Sequence, residues 1–227
     1  MRLYKTIALT LLMSSLMLAD TKHKQRLEDA TTVMKEILAS PDEGIPHSLL
    51  ERANCVAIIP DMKKVAFLFG ARYGKGYISC RAASGTGWSA PATVRVEGGS
   101  FGLQIGASET DVILLVMNKR GADQLMQNKF TLGGTTDVAA GPLGRSAAAE
   151  TDVGMKAEIL SYSRSRGVFV GVALQGATFR TDLDANKAMY RQRLTTSVIV
   201  RDPNVKPTPA GQQLVDLLNK YSLRETS

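Results

Sequence analysis

Between Lys24 and Leu38 the apolar positions Leu27, Ala30, Val33, Met34, Ile37 and Leu38 recur every three or four residues, and Pro41 ends the pattern. That spacing puts them on one face of a helix. The opposite face mixes Lys24, Arg26 and Lys35 with Glu28, Asp29 and Glu36, so its charge cancels. A helix of this kind is expected to dock on the protein's own core rather than lie on a membrane. Pro46 opens a further short helix through Arg52, and then the period changes to two. Strands are predicted at 55–59, 64–70, 75–82, 92–97, 100–107 and 111–117. The turn signals between them are Pro60-Asp61, Gly74-Lys75-Gly76, Gly85-Thr86-Gly87 and Gly98-Gly99. Connections this short imply hairpins and a largely antiparallel sheet.

Further along, a helix is predicted at 119–128 with Asn118 as its cap, and strands resume at 156–164 and 168–175. Asp182 to Arg191 reads as a short helix and Ser197 to Val200 as a strand. Thr208 to Tyr221 reads as a last helix, with Pro209 in its first turn and a stripe of Leu214, Leu217, Leu218 and Tyr221. This order gives an α+β fold: a single domain whose multi-stranded, largely antiparallel sheet or partial barrel is packed with N-terminal, middle and C-terminal helices. Within 98–118, Phe101, Leu103, Ile105 and Ala107 alternate with Ser100, Gly102, Gln104 and Gly106, leaving one side of the strand nearly flat. Gly102 and Gly106 would let a helix, a neighbouring backbone or a lipid chain approach closely. Gln104 is read with them as a structural anchor that must find a hydrogen-bond partner.

The start of the chain reads as an address. A short basic segment through Lys5 precedes an apolar stretch, Thr6 to Ala19, that is too short to span a bilayer, and Leu18-Ala19 offers a small residue at a cleavage position. A signal peptide at 1–19 and an exported domain at 20–227, periplasmic or associated with the cell envelope, are the expectation. An uncleaved anchor is the alternative. The formal charge is +7 over 227 residues. Such an excess favours anionic surfaces without saying where the charge sits.

Cys55 and Cys80 are the only cysteines, and they fall in strand-like contexts separated by one further strand candidate. In an exported chain the pair is compatible with a disulfide, and equally with two buried thiols. Neither has a second cysteine at ligand spacing, so no metal is expected. The only imidazoles, His23 and His47, lie in the N-terminal helical region, and no G-x-S-x-G elbow or phosphate-binding loop is present; "GARYGKG" at 70–76 lacks the latter's spacing. Glu150 and Asp152 read as charged turn residues rather than as a catalytic or cation-binding pair. No enzymatic activity, cofactor or metal is expected. Aromatic residues make up only 6% of the chain. Several of them, including Phe67, Phe69, Phe101 and Phe169, fall within predicted strands, which argues against nucleic-acid binding.

What remains is a surface for anionic lipid. Lys63 and Lys64 enter one predicted strand, Arg72 and Lys75 lie in its turn, and Arg81 stands where the next strand ends. Arg145, Arg164 and Arg166 form a second group, near Lys119 and Arg120. Each cation near a charged membrane contributes about 1 kcal/mol. For any one of them a solvated rim is the competing reading.

Several long segments carry a resemblance. "AIIPDMKKVAFLFGARYGKGYISCR", "GWSAPA", "GGSFGLQIGASETDVILLVMN", "LGGTTDVAAGPLGR", "AEILSYSRSRGVFVGVALQGATFRTDLDANKAMY" and "LVDLLNK" follow in order. Together, from about Leu27 to Leu223, they resemble the SYLF family of lipid-binding domains, and most of all its exported bacterial branch, whose pattern the two cysteines also fit. Eukaryotic members bind phosphoinositides, often with an N-terminal amphipathic segment, and some bind and bundle actin. The resemblance therefore implies phospholipid binding without catalysis, with actin as a partner by family name alone. Two departures stand out: the charge balance of the N-terminal helix, and Arg191 after Tyr190, where the family pattern has glycine. The sequence reading is an exported, non-enzymatic phospholipid-binding protein that contacts anionic headgroups through basic loops. The alternative is a periplasmic scaffold or protein-interaction module with incidental lipid contact.

Overall fold

Nothing in the first 40 residues interrupts a helix, since neither glycine nor proline occurs there, and one helix, α1 (Arg2–Ala39), runs through both the apolar start and the amphipathic stretch. The computed structural model describes residues 2–40, 44–67, 69–82, 86–101, 106–133, 138–144, 157–165, 168–171, 174 and 176–222. Among them, no helix is long and apolar enough to cross a membrane. Gly102, Gln104, Arg145, Glu150, Asp152 and Arg166 lie outside the described residues. Helix α2 (His47–Arg52) follows, and then the sheet begins.

The first four strands are longer than their patterns predict. β1 (Cys55–Phe67) and β2 (Phe69–Cys80) form one long hairpin, continued by β3 (Ala92–Phe101) and β4 (Gly106–Val116). Three expected turns are therefore strand interior. Pro60-Asp61 is a β-bulge, where pairing jumps from Ile58↔Tyr77 to Lys63↔Tyr73 and Asp61 takes φ 50°. Gly74 and Gly76 sit in β2 opposite that bulge because only glycine fits. A Cβ on Gly76 would lie 2.0 Å from the Ile58 carbonyl oxygen, and one on Gly74 would lie 2.5 Å from Ile59 Cγ2. Gly98-Gly99 continues β3, and the predicted strand at 100–107 is divided between β3 and β4.

Helix α3 (Lys119–Leu125) is capped as expected, with the Asn118 side chain accepting from the Gly121 N–H at 2.7 Å. Short strands β5 (Lys129–Thr131) and β6 (Val138–Ala140) precede β7 (Ile159–Ser165), β8 (Val168–Gly171) and β9 (Thr178–Thr181). Three helices close the chain: α4 (Leu183–Tyr190), α5 (Thr196–Arg201) and α6 (Pro209–Tyr221). The expected strand at 197–200 is thus the helix α5. Its β-branched residues are overruled by a Thr195 cap on the Val198 N–H and by burial of the adjacent Ile199 and Val200. At the end of α4, Arg191 takes the left-handed conformation (φ 57°), the one glycine adopts without strain.

The sheet runs β5-β9-β3-β2-β1-β4-β7-β6, with β8 on the same edge of β7 as β6, and it curls into a half-barrel. Among the described residues every strand pairing is antiparallel except β6 with β7. One face packs Val56, Ile58, Tyr77, Ile113, Leu115, Leu160 and Tyr162 against α1, α2 and α6. The other gathers Ala57, Ile59, Ile78, Val94, Val96, Leu114 and Phe179 with α3 and α5. Cys55 and Cys80 pair in register at the foot of the β1–β2 hairpin and are joined by a disulfide.

Candidate functional site

The bulge in β1 decides which side chains face α1. Before it, even-numbered residues (Val56, Ile58) face the helix and odd-numbered ones (Ala57, Ile59) face away. Beyond it the order is reversed: Met62 joins the far cluster, and Lys63 pairs with Tyr73 on the α1 side. The extra residue thereby moves Lys63 and Val65 to the helix face and Lys64 to the other. A short polar chain fixes the bulge. The Asp61 N–H donates to Asp111 Oδ1 at 3.0 Å, Arg164 Nε donates to Asp111 Oδ2 at 2.7 Å, and Arg164 also pairs with Glu36 of α1.

Between the bulge and α1 lies a cavity of about 480 Å³. Lys22, Gln25, Arg26 and Asp29 line it from α1, Pro60, Asp61 and Lys63 from β1, and Tyr73, Gly74 and Lys75 from β2. Four cations thus converge on it against two carboxylates. Beside it, the buried Tyr77 hydroxyl donates to the His23 carbonyl at 3.0 Å; burial, only partly offset by Arg26, pushes its phenol up to about 12. Lys63 reaches Glu109 at 3.3 Å, but both side chains are more than 60% exposed. Such a pair is worth at most about 1 kcal/mol and is readily exchanged for another anion.

Register extends the charge across the sheet. Lys75, Arg95, Arg180 and Lys129 stand side by side on β2, β3, β9 and β5. Glu97 forms ion pairs with both Arg95 (Nε–Oε1 2.8 Å) and Arg180 (Nε–Oε2 3.1 Å). Lys75 contacts the buried Asp182 at 2.9 Å. Burial alone would raise the Asp182 carboxyl. The Lys75 hydrogen bond, the Ala185 N–H that Asp182 caps, and the charges of Lys75 and Arg95 together hold it below the usual carboxylate range.

The basic residues singled out from sequence separate into three groups. Lys63 and Lys75 line the cavity. Lys64 and Arg72 face each other on the opposite side of the same hairpin, in strands rather than in a turn, with the stem of Arg72 lying against Gly98. Arg81 and Arg164 serve as ties. Arg81 donates to the carbonyls of Ala53, Leu50, Glu51 and Ser222 and stacks 4.1 Å from the centre of the Trp88 ring, latching the ends of α2 and α6. Arg164 joins α1 to β4 and β7, and burial lowers its affinity for the proton. Arg95, Arg180 and Lys129 did not stand out in the sequence. The signal was there in "TVRVE" and "TFRT", where each arginine alternates with buried neighbours, but only the pairing of β9 with β3 brings the two together.

Comparison with known proteins places this arrangement in context. The family model described as "Ysc84: Las17-binding protein actin regulator" matches residues 97–221, more than half of the chain. Protein YSC84 of Saccharomyces cerevisiae is 35% identical over 188 residues, covering 82% of this chain and 40% of the yeast protein. An SH3 domain-containing protein of Schizosaccharomyces pombe, PJ696.02, is 37% identical over 180 residues, or 78% of this chain and 41% of that protein. The human SH3 domain-containing YSC84-like protein 1 is 28% identical over 205 residues, covering 88% and 59% respectively. The chain therefore spans about two fifths to three fifths of the length of these relatives.

Proposed function

This chain belongs to the Ysc84, or SYLF, family, and from that premise we propose that it is a non-enzymatic module that binds anionic phospholipid on the face shared by α1 and the β1–β2 hairpin. The observation that carries the reading is the convergence of Lys22, Arg26, Lys63 and Lys75 on one cavity, beside the row formed by Arg95, Arg180 and Lys129. A phosphate headgroup would compete with the exposed Glu109 for Lys63 while Lys75 stays on Asp182, and the exposed ends of Lys22 and Lys63 can follow it. This relocates the contact from loops to the strands and helix around the bulge. In this reading the chain works outside the reducing cytosol, in the cell envelope, an environment that accords with the Cys55–Cys80 bond.

Co-sedimentation with vesicles of anionic or zwitterionic phospholipid tests the proposal. Binding is expected for the anionic vesicles only, and it weakens as salt is raised. The double variant Lys22→Glu, Lys63→Glu reverses two charges and lowers binding at least roughly tenfold at about 1 kcal/mol per cation removed. Equal binding to both vesicle types at low salt would sink the reading. The second reading, a protein-interaction module, is favoured by the description of the family model as an actin regulator that binds Las17. Under that reading capture of a protein partner survives the same charge reversals, and vesicle selectivity is absent.

A further inference from the structure

The far end of the β1–β2 hairpin departs from the rest of the sheet in composition. Val65 is 59% exposed and Tyr73 is 45% exposed, among the few large apolar side chains that face solvent in the described residues. Both lie on the α1 side of the sheet, beyond the bulge. Two register steps beyond Val65, Phe67 pairs with Phe69 and Phe69 with Phe101, which sets three phenylalanines abreast at the ends of β1, β2 and β3. Behind Val65 stand cations on both faces: Lys64 and Arg72, paired one step back, on the far face, and Lys63, paired with Tyr73 two steps back, on the helix face.

A partner that met only one face would miss at least one of these three cations. A bilayer entered end-on meets both, because headgroups surround whatever penetrates between them. Aromatic and aliphatic side chains in the interface, with lysine and arginine at headgroup level, are the arrangement that membrane interfaces favour. We propose that the paired ends of β1, β2 and β3 insert into the interfacial layer of an anionic bilayer, with Val65 as the inserted side chain and with Lys63, Lys64 and Arg72 as a collar at whose level Tyr73 stands. This rests on the lipid-binding reading and adds an orientation to it. The hairpin stands along the membrane normal, with the disulfide end pointing away.

Trp88, the single tryptophan, is buried beside the disulfide end and provides an internal control. Two variants, Val65→Trp at the tip and Tyr73→Trp at the level of the collar, each add a reporter, so that failure of one to fold leaves the other. Each is mixed with phosphatidylglycerol vesicles with or without bromine on the acyl chains. The tip reporter is expected to shift to the blue on binding and to be quenched by the brominated lipid, whereas wild-type emission stays unchanged. Val65→Asp is expected to lower vesicle affinity roughly tenfold, the cost of losing a buried apolar side chain, with its melting temperature retained. Binding of the reporter variants without shift or quenching overturns insertion and leaves the headgroup reading intact. Absence of wild-type binding to these vesicles overturns both. A blue shift that grows with protein concentration in the absence of lipid assigns the tip to a second copy of the chain and overturns the membrane orientation.

Discussion

The two halves of β1 belong to one strand and share both partners, yet they have opposite character. From Cys55 to Ile59 every side chain is buried, alternate residues feeding the two cores. From Lys63 to Val65 the strand carries charge and exposed apolar surface. The difference comes from one extra residue at the bulge, which reverses the alternation and turns a doubly buried strand into a surface hairpin. A continuous strand can therefore hold a stability function and a recognition function at separate ends, provided that a register shift separates them.

Substitutions should respect that division. Removing the disulfide with Cys55→Ala and Cys80→Ala, which frees a loop with a sequence separation of 25, costs about 3.5 kcal/mol by loop-closure entropy. Denaturant unfolding measures the loss, and vesicle binding below the new melting point is expected to be unchanged. Ile58→Ala, in the buried half, costs about 3 kcal/mol, whereas Val65→Ala in the exposed half changes stability by no more than about 0.5 kcal/mol. Similar losses at the two positions would break the comparison. Asp182→Ala, which removes both a helix cap and the partner of Lys75, costs about 2 kcal/mol.

Proton linkage at Asp182 has a definite sign. Its folded carboxyl titrates below the ordinary value. Its contribution is therefore complete above the unfolded pKa of about 4 and fades as the pH falls below it. Wild-type unfolding measured from pH 6 to pH 3 should show that loss, and Asp182→Asn, which keeps a capping oxygen, should lack this component of it. The smallest effect belongs to Arg191→Gly, which relieves a left-handed residue at the end of α4 and is expected to stabilise by up to about 1 kcal/mol in thermal unfolding.

That last site shows what could be read from sequence and what could not. The apolar stripe of α1, the Asn118 cap and the Thr208-Pro209 start of α6 were legible because each is a local signal with a local cause. Arg191 was visible as a departure from the family pattern, but its meaning needed a backbone angle. Gly74 and Gly76 carry the same letters as a turn, and only the bulge opposite them shows that they make room instead. Lys63 and Lys75 were found as charges, while the face on which each would stand depended on a register shift within β1. Arg95 and Arg180 meet through strands far apart in sequence, and no periodicity reports a long-range pairing.

Because the disulfide joins the two feet of the hairpin, every peptide bond from residue 55 to residue 80 lies inside a covalent ring. A protease that cuts after Lys63 or Lys64 opens that ring without releasing a fragment. The nicked protein would run as one band on a gel without reductant and as two bands with it. Exposure of the tip to digestion therefore need not mean loss of the molecule, and protection of those two bonds by vesicles can be read from a pair of gel lanes.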